Sequence, residues 1–134
     1  LSKTIFMGDA LGLIYPHGDF VQPNLPPPDF NKELLINTLT NIKKLDLEYI
    51  ALAHFGIHSK PYELIDNAIE NIEHWVSFIR KLPNLNNIEA AIAIEDWVVN
   101  NYKALNVDEF TINNYISSSN YEMQVKGIRN YLKK

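Results

Sequence analysis

Two residues stand where a metal-assisted reaction would want them. Asp9 follows the apolar run Thr4-Ile5-Phe6-Met7 and Gly8, and His54 follows Tyr49-Ile50-Ala51-Leu52-Ala53. Short apolar, partly β-branched runs bounded by turn residues read as buried strands, so both side chains are expected just past the C-terminal ends of strands. In open α/β architectures ligands collect at that edge. A carboxylate and an imidazole from adjacent strand ends can converge on one divalent ion, and zinc, iron and manganese all accept such ligands. Spacing alone is equally consistent with a hydrogen-bonded structural pair.

The remaining chemistry-bearing side chains have blander readings. His17 and Tyr15 lie in the loop after Asp9, where either could face a substrate, although solvent exposure is the simpler reading for His17. His58 falls near a helix start, where an exposed or capping role is the default. His74 is expected at the surface or as a satisfied core residue, and Trp75 and Trp97 as core or interhelical packing.

Positioning Asp9 and His54 requires a strand, a long loop, a helix and a second strand. The loop, residues 10 to 30, holds five of the seven prolines. Loops of that length within a compact domain are usually functional or disordered; Tyr15, Phe20, Val21 and Leu25 favour an ordered loop packed over something. Asp29 or Asn31 can cap a helix running to about Leu45, with Leu35, Leu39 and Ile42 on one face. After the turn Phe55-Gly56-Ile57, Ser59 caps a long amphipathic helix with Pro61 in its first turn. Ile65, Ala68, Ile69, Ile72, Val76 and Ile79 are its buried stripe, and residues 83 to 87 end it.

The rest reads as helical. Ile88, Ala91, Ile92, Glu95 and Val98 share a face, and Asp108 caps a short helix containing Phe110 and Ile112. Ser119 with Glu122 forms a capping-box pattern before a last helix lined by Tyr121, Val125, Ile128 and Leu132. Gly127 inside that helix costs about 1 kcal/mol relative to Ala and is expected to permit a close helix crossing. Two strands joined through a helix predict a parallel, right-handed crossover. Two strands leave unpaired edges that need partners. Together with a first strand that opens within a few residues of Leu1, this predicts that further strands come from upstream sequence or another chain.

Phe6-Met7-Gly8-Asp9-Ala10, followed by a proline-rich loop, resembles the Thr-Gly-Asp strand end of the metallo-β-lactamase superfamily. Ala53-His54-Phe55-Gly56 resembles that family's later Gly-His-Phe/Gly-Gly strand end. The helix start Pro61-Tyr62-Glu63-Leu64 also matches, as does the order of elements between the motifs, so the resemblance covers roughly residues 3 to 82 and extends loosely to 126–132. It implies an α/β fold: residues 1–82 as the C-terminal half of a metallo-β-lactamase-like αββα sandwich, and residues 83–134 as an α-helical extension. It further implies that Asp9 bridges two divalent metal ions, zinc or iron, and that His54 binds the second. The helical extension resembles those that shape substrate pockets in glyoxalase-II-type thioesterases.

Two departures matter. Met7 stands where Thr is common, at a position that is not a ligand. The family's principal motif, His-x-His-x-Asp-His, has no counterpart, because no two of His17, His54, His58 and His74 have that spacing. The family places that motif and one more histidine upstream of its bridging aspartate. In the complete site the metals lower the pKa of bound water to about 7, and hydroxide attacks a carbonyl or phosphoryl centre. A catalytic zinc takes about three protein ligands, so two predict weak metal affinity and no hydrolysis from this chain alone.

Composition narrows the substrates. A net charge of −4 without a Lys/Arg cluster disfavours nucleic acid, so among the substrates that the resemblance implies a small-molecule ester, thioester or lactone is expected. No apolar run approaches the roughly 20 residues needed to cross a bilayer, so no membrane association is expected. The absence of cysteine removes thiolate ligands and disulfides and fits the cytoplasm. The leading expectation is part of a metal-dependent hydrolase, inactive without its N-terminal half. The alternatives are a non-catalytic α/β interaction module, self-associating or partnered through its sheet edge, and a di-iron oxidoreductase-type relative.

Overall fold

The computed structural model of the chain describes residues 3–16, 20–53 and 56–134. These form a mixed α/β protein: β1 (Thr4–Gly8), α1 (Lys32–Ile42), β2 (Tyr49–Leu52), β3 (Ile57–His58), α2 (Pro61–Arg80), α3 (Asn87–Ala104), α4 (Glu109–Ser117) and α5 (Tyr121–Leu132). The backbone divides into two compact units, one of Leu1–Asn24 and Asn31–Glu73, the other of Leu25–Phe30 and His74–Lys134. The division falls within α2, and a stretch of the proline-rich loop belongs to the second unit.

In the first unit β1 and β2 pair in parallel, with Ile5 opposite Ile50 and Phe6 opposite Ala51. Parallel neighbours need a crossover, and α1 supplies it. Asn31 starts that helix by accepting from the Leu34 N–H at 2.9 Å, so Asn31 rather than Asp29 is the cap. The helix stops at Ile42, short of the expected Leu45, and of its predicted face only Leu39 is fully buried.

A third strand was not expected. β3 pairs antiparallel with β2, His58 opposite Ile50 and Ile57 opposite Ala51. Gly56 adopts φ 81°, a conformation that costs glycine little, and its carbonyl accepts from the Leu52 N–H at 3.0 Å. Ile57 is therefore strand, not turn. Ser59 also lies one residue outside its predicted role. With Pro61 as the first helical residue, Lys60 takes the capping position, at φ 60°.

The loop after β1 is ordered in its described parts. Leu11, Ile14, Tyr15, Phe20 and Val21 are buried, and Leu13 and Gln22 exchange backbone hydrogen bonds, both 2.8 Å. Two amides on α2 hold Val21. Asn67 Oδ1 accepts from its N–H at 2.7 Å, and Asn71 Nδ2 donates to its carbonyl at 2.8 Å. The two asparagines sit one turn apart on the helix, so together they offer the loop what a neighbouring strand would. Leu64, Ile65, Ala68 and Ile72 complete this unit's apolar share of α2, with Ile69 only half-buried.

In the second unit α3 packs on α4 and α5. Asn86 and Glu89 form a reciprocal capping box at the start of α3, and Asp108 caps α4 as predicted. The cap of α5 is Asn120, which accepts from the Met123 N–H at 3.0 Å; Ser119 instead donates to the Tyr115 carbonyl. The predicted face of α3 is corrected. Ala90, Ile94, Val98 and Tyr102 are buried, whereas Ile88 and Ile92 are 60% and 54% exposed. Phe110 likewise points outward, at 77% exposure. Tyr121, Val125 and Ile128 line α5 as expected, with Leu132 only half-buried. A Cβ on Gly127 would overlap the Leu25 carbonyl oxygen. Gly127 therefore admits the loop backbone rather than another helix. The Leu25 N–H donates to Gln124 Oε1 one turn away, fastening the same stretch.

Candidate functional site

The C-terminal ends of β1 and β2 lie side by side. The ladder runs to Gly8 opposite Leu52, and the Ala53 N–H donates to the Gly8 carbonyl at 3.2 Å. Register shifts between Phe6 and Gly8, as a β-bulge does when it re-aims a strand end. Met7 is buried, and Gly8 takes φ 58°, a left-handed conformation that other residues rarely adopt. The chain then exposes Asp9. Two turns bracket it, from the Ala10 N–H to the Met7 carbonyl at 3.1 Å and from the Gly12 N–H to the Asp9 carbonyl at 3.2 Å. Asp9 thus occupies the expected position, beyond a parallel strand and beside the end of its neighbour.

His54 and His17 lie outside the described residues. Tyr15, the other candidate substrate contact, is 5% exposed and part of the first unit's core. His58 departs from its expected exposed or capping role. It sits in β3 opposite Ile50, away from the Asp9 end of the sheet, with a buried Nε2 that has no hydrogen-bond partner among the described residues. His74 is exposed, with its ring stacked on Trp97 at 4.9 Å. Trp75 is fully buried, edge-on to Trp97 at 6.1 Å, the packing role expected of both indoles.

Among the described residues, no three of His, Cys, Asp and Glu gather as a metal-binding group. At the strand ends the described donor is one exposed carboxylate, enough for a single ligand or a hydrogen-bond acceptor. At the other end of β1, the Asp46 carboxylate hydrogen-bonds to the Lys3 ammonium and holds that amine above the usual lysine value. That contact fastens the strand's start and leaves the Asp9 end untouched.

Sequence reasoning missed the amides that hold the loop after β1. Asn67 and Asn71 carried a usable signal, being polar residues four apart and flanked by the apolar stripe of α2. Gln124, 7% exposed next to Val125, carried the same signal in α5. No protein-family model, curated protein or solved structure matches the chain.

Proposed function

We propose that this chain is part of a metal-dependent hydrolase of the metallo-β-lactamase type, in which Asp9 and His54 are two of the metal ligands. What supports the reading is the parallel pairing of β1 and β2 with their C-terminal ends adjacent. That is the arrangement the two sequence motifs require. The described donors alone do not make a closed metal site, so no catalytic step is assigned to this chain by itself. In the proposed whole, a complementary N-terminal half supplies the remaining ligands for two zinc or iron ions. The substrate is a small thioester, lactone or related ester.

Titration of the chain with Co²⁺, read by visible absorption, tests the ligand pair. Weak binding is expected, lost in both Asp9→Ala and His54→Ala. In the protein joined to its complementary half, Asp9→Ala is expected to abolish ester hydrolysis and metal binding while leaving the thermal transition in place. Full activity in that variant would sink the assignment.

One observation favours a second reading, a non-catalytic interaction module. Phe6 and Ile57 flank Ala51 on one face of the sheet and are 81% and 65% exposed. β1 also forms an edge of the three-stranded order β1-β2-β3. An apolar sheet face beside an open edge is a surface for another chain.

A further inference from the structure

We propose that a cavity in the second unit, between Pro27–Pro28 and the C-terminal half of α5, binds a small phosphate-bearing ligand. The cavity measures about 430 Å³, and its charged lining consists of Lys126, Arg129 and Lys133. Spacings of three and four place these cations on one face of the helix. Among the described residues no acidic side chain lines the cavity. This concentration of positive charge occurs in a chain whose net charge is −4.

Arg129 is central. Its half-buried guanidinium donates to Asn87 Oδ1 at 2.7 Å, the Leu82 carbonyl at 2.9 Å and the Leu85 carbonyl at 2.6 Å. All three acceptors are neutral, and among the described residues no carboxylate pairs with it. A partly buried cation without a counter-ion carries a desolvation cost that an anion in the cavity would offset. Three hydrogen bonds leave two of the five guanidinium N–H groups available.

The other lining groups have the same bias. The Lys133 ammonium has no acidic partner among the described residues, and Lys126 has only an exposed pairing with Glu122 at 3.4 Å. The Pro28 carbonyl is already taken, accepting from Asn130 Nδ2 and Lys134 Nζ, both at 3.3 Å. Asn87 spends its oxygen on Arg129 and keeps its amide N–H groups as donors. Donors and positive charge are left over where acceptors are not, which suits a phosphate dianion rather than a cation or a neutral polar group. Arg129 alone would be equally well explained as a clamp on the turn before α3. Lys126 and Lys133 take no part in that clamp, so they separate the two roles.

The test is calorimetric titration of the full chain with inorganic phosphate at fixed ionic strength, with chloride as the control. Saturable 1:1 binding is expected, weakened about tenfold or more in Lys126→Gln/Lys133→Gln as charge-assisted contacts are lost. The melting temperature of that variant should be unchanged. The single Lys133→Gln variant repeats the measurement should the double variant fold poorly. Glycerol phosphate binding as tightly as phosphate assigns a soluble ester. Retention on phosphatidic-acid vesicles, lost in the variant, assigns a lipid headgroup. No saturation beyond chloride, or equal binding by the lysine variants, overturns the proposal. The residues are distinct from Asp9 and His54, so this result and the hydrolase test fail or succeed separately.

Discussion

At Gly127 a residue that weakens its own helix is required by what passes beside it. On helix propensity alone, Gly127→Ala should stabilise by about 1 kcal/mol. The added methyl would instead meet the Leu25 carbonyl, and forcing extra volume into packed structure costs about 1–3 kcal/mol. The net expectation is a lower urea midpoint for Gly127→Ala. An unchanged or raised midpoint would mean that the loop does not approach the helix so closely. The sequence marked Gly127 as a point of close approach but not its partner, because a loop segment far upstream leaves no period in the helix. Capping was more legible, since a cap is satisfied within three residues. Asp108 could be read directly and Asn31 as one of two candidates with Asp29, whereas Ser119 reads as the cap of the last helix although the adjacent Asn120, equally competent, takes the role.

Among the elements, α2 repaid sequence reading and α3 did not. The apolar residues of α2 fall on one stripe, and that stripe is largely buried. In α3 Ile88, Ala90, Ala91, Ile92, Ile94, Trp97 and Val98 surround the axis, so periodicity offers more than one face, and packing on α4 and α5 selected the one at Ala90, Ile94, Val98 and Tyr102. β3 was invisible because two residues are too short for a pattern. The asparagines of α2 carry a prediction at this scale. Asn71→Ala leaves the Val21 carbonyl without its side-chain donor, at a residue that is 0% exposed. An unsatisfied buried polar group costs about 1–3 kcal/mol, and the loss should appear both as a lower thermal midpoint and as faster proteolysis within residues 10 to 30. Lost stability without increased loop cleavage would show that Asn71 matters for packing and not for the loop.

For the molecule as a whole, the order of strand, loop, helix and strand was legible because each apolar run has its own period and its own punctuation, and the parallel pairing followed from the intervening helix. The placement of Asp9 was legible in the same way, while His54 and His17 lie outside the described residues. Asp9 stands past the end of β1 as read, whereas Tyr15 is a core residue, as the apolar and aromatic content of its loop indicated and its reading as a substrate contact did not. Among the described residues the sheet ends at β1, and an edge strand beside exposed Phe6 and Ile57 should join other copies of the chain. The expected behaviour of the chain alone is concentration-dependent association, seen as a sedimentation coefficient that rises with loading. Phe6→Lys should suppress it, since a charge on an edge strand opposes strand addition. At 81% exposure Phe6 contributes little to the monomer's own core, so the variant should melt where the unmodified chain does when both are dilute. A Phe6→Lys variant that unfolds would place Phe6 in the core after all. An unmodified chain that stays monomeric at every concentration would remove the sheet face as an interaction surface and leave the metal-ligand reading to stand on Asp9 and His54 alone.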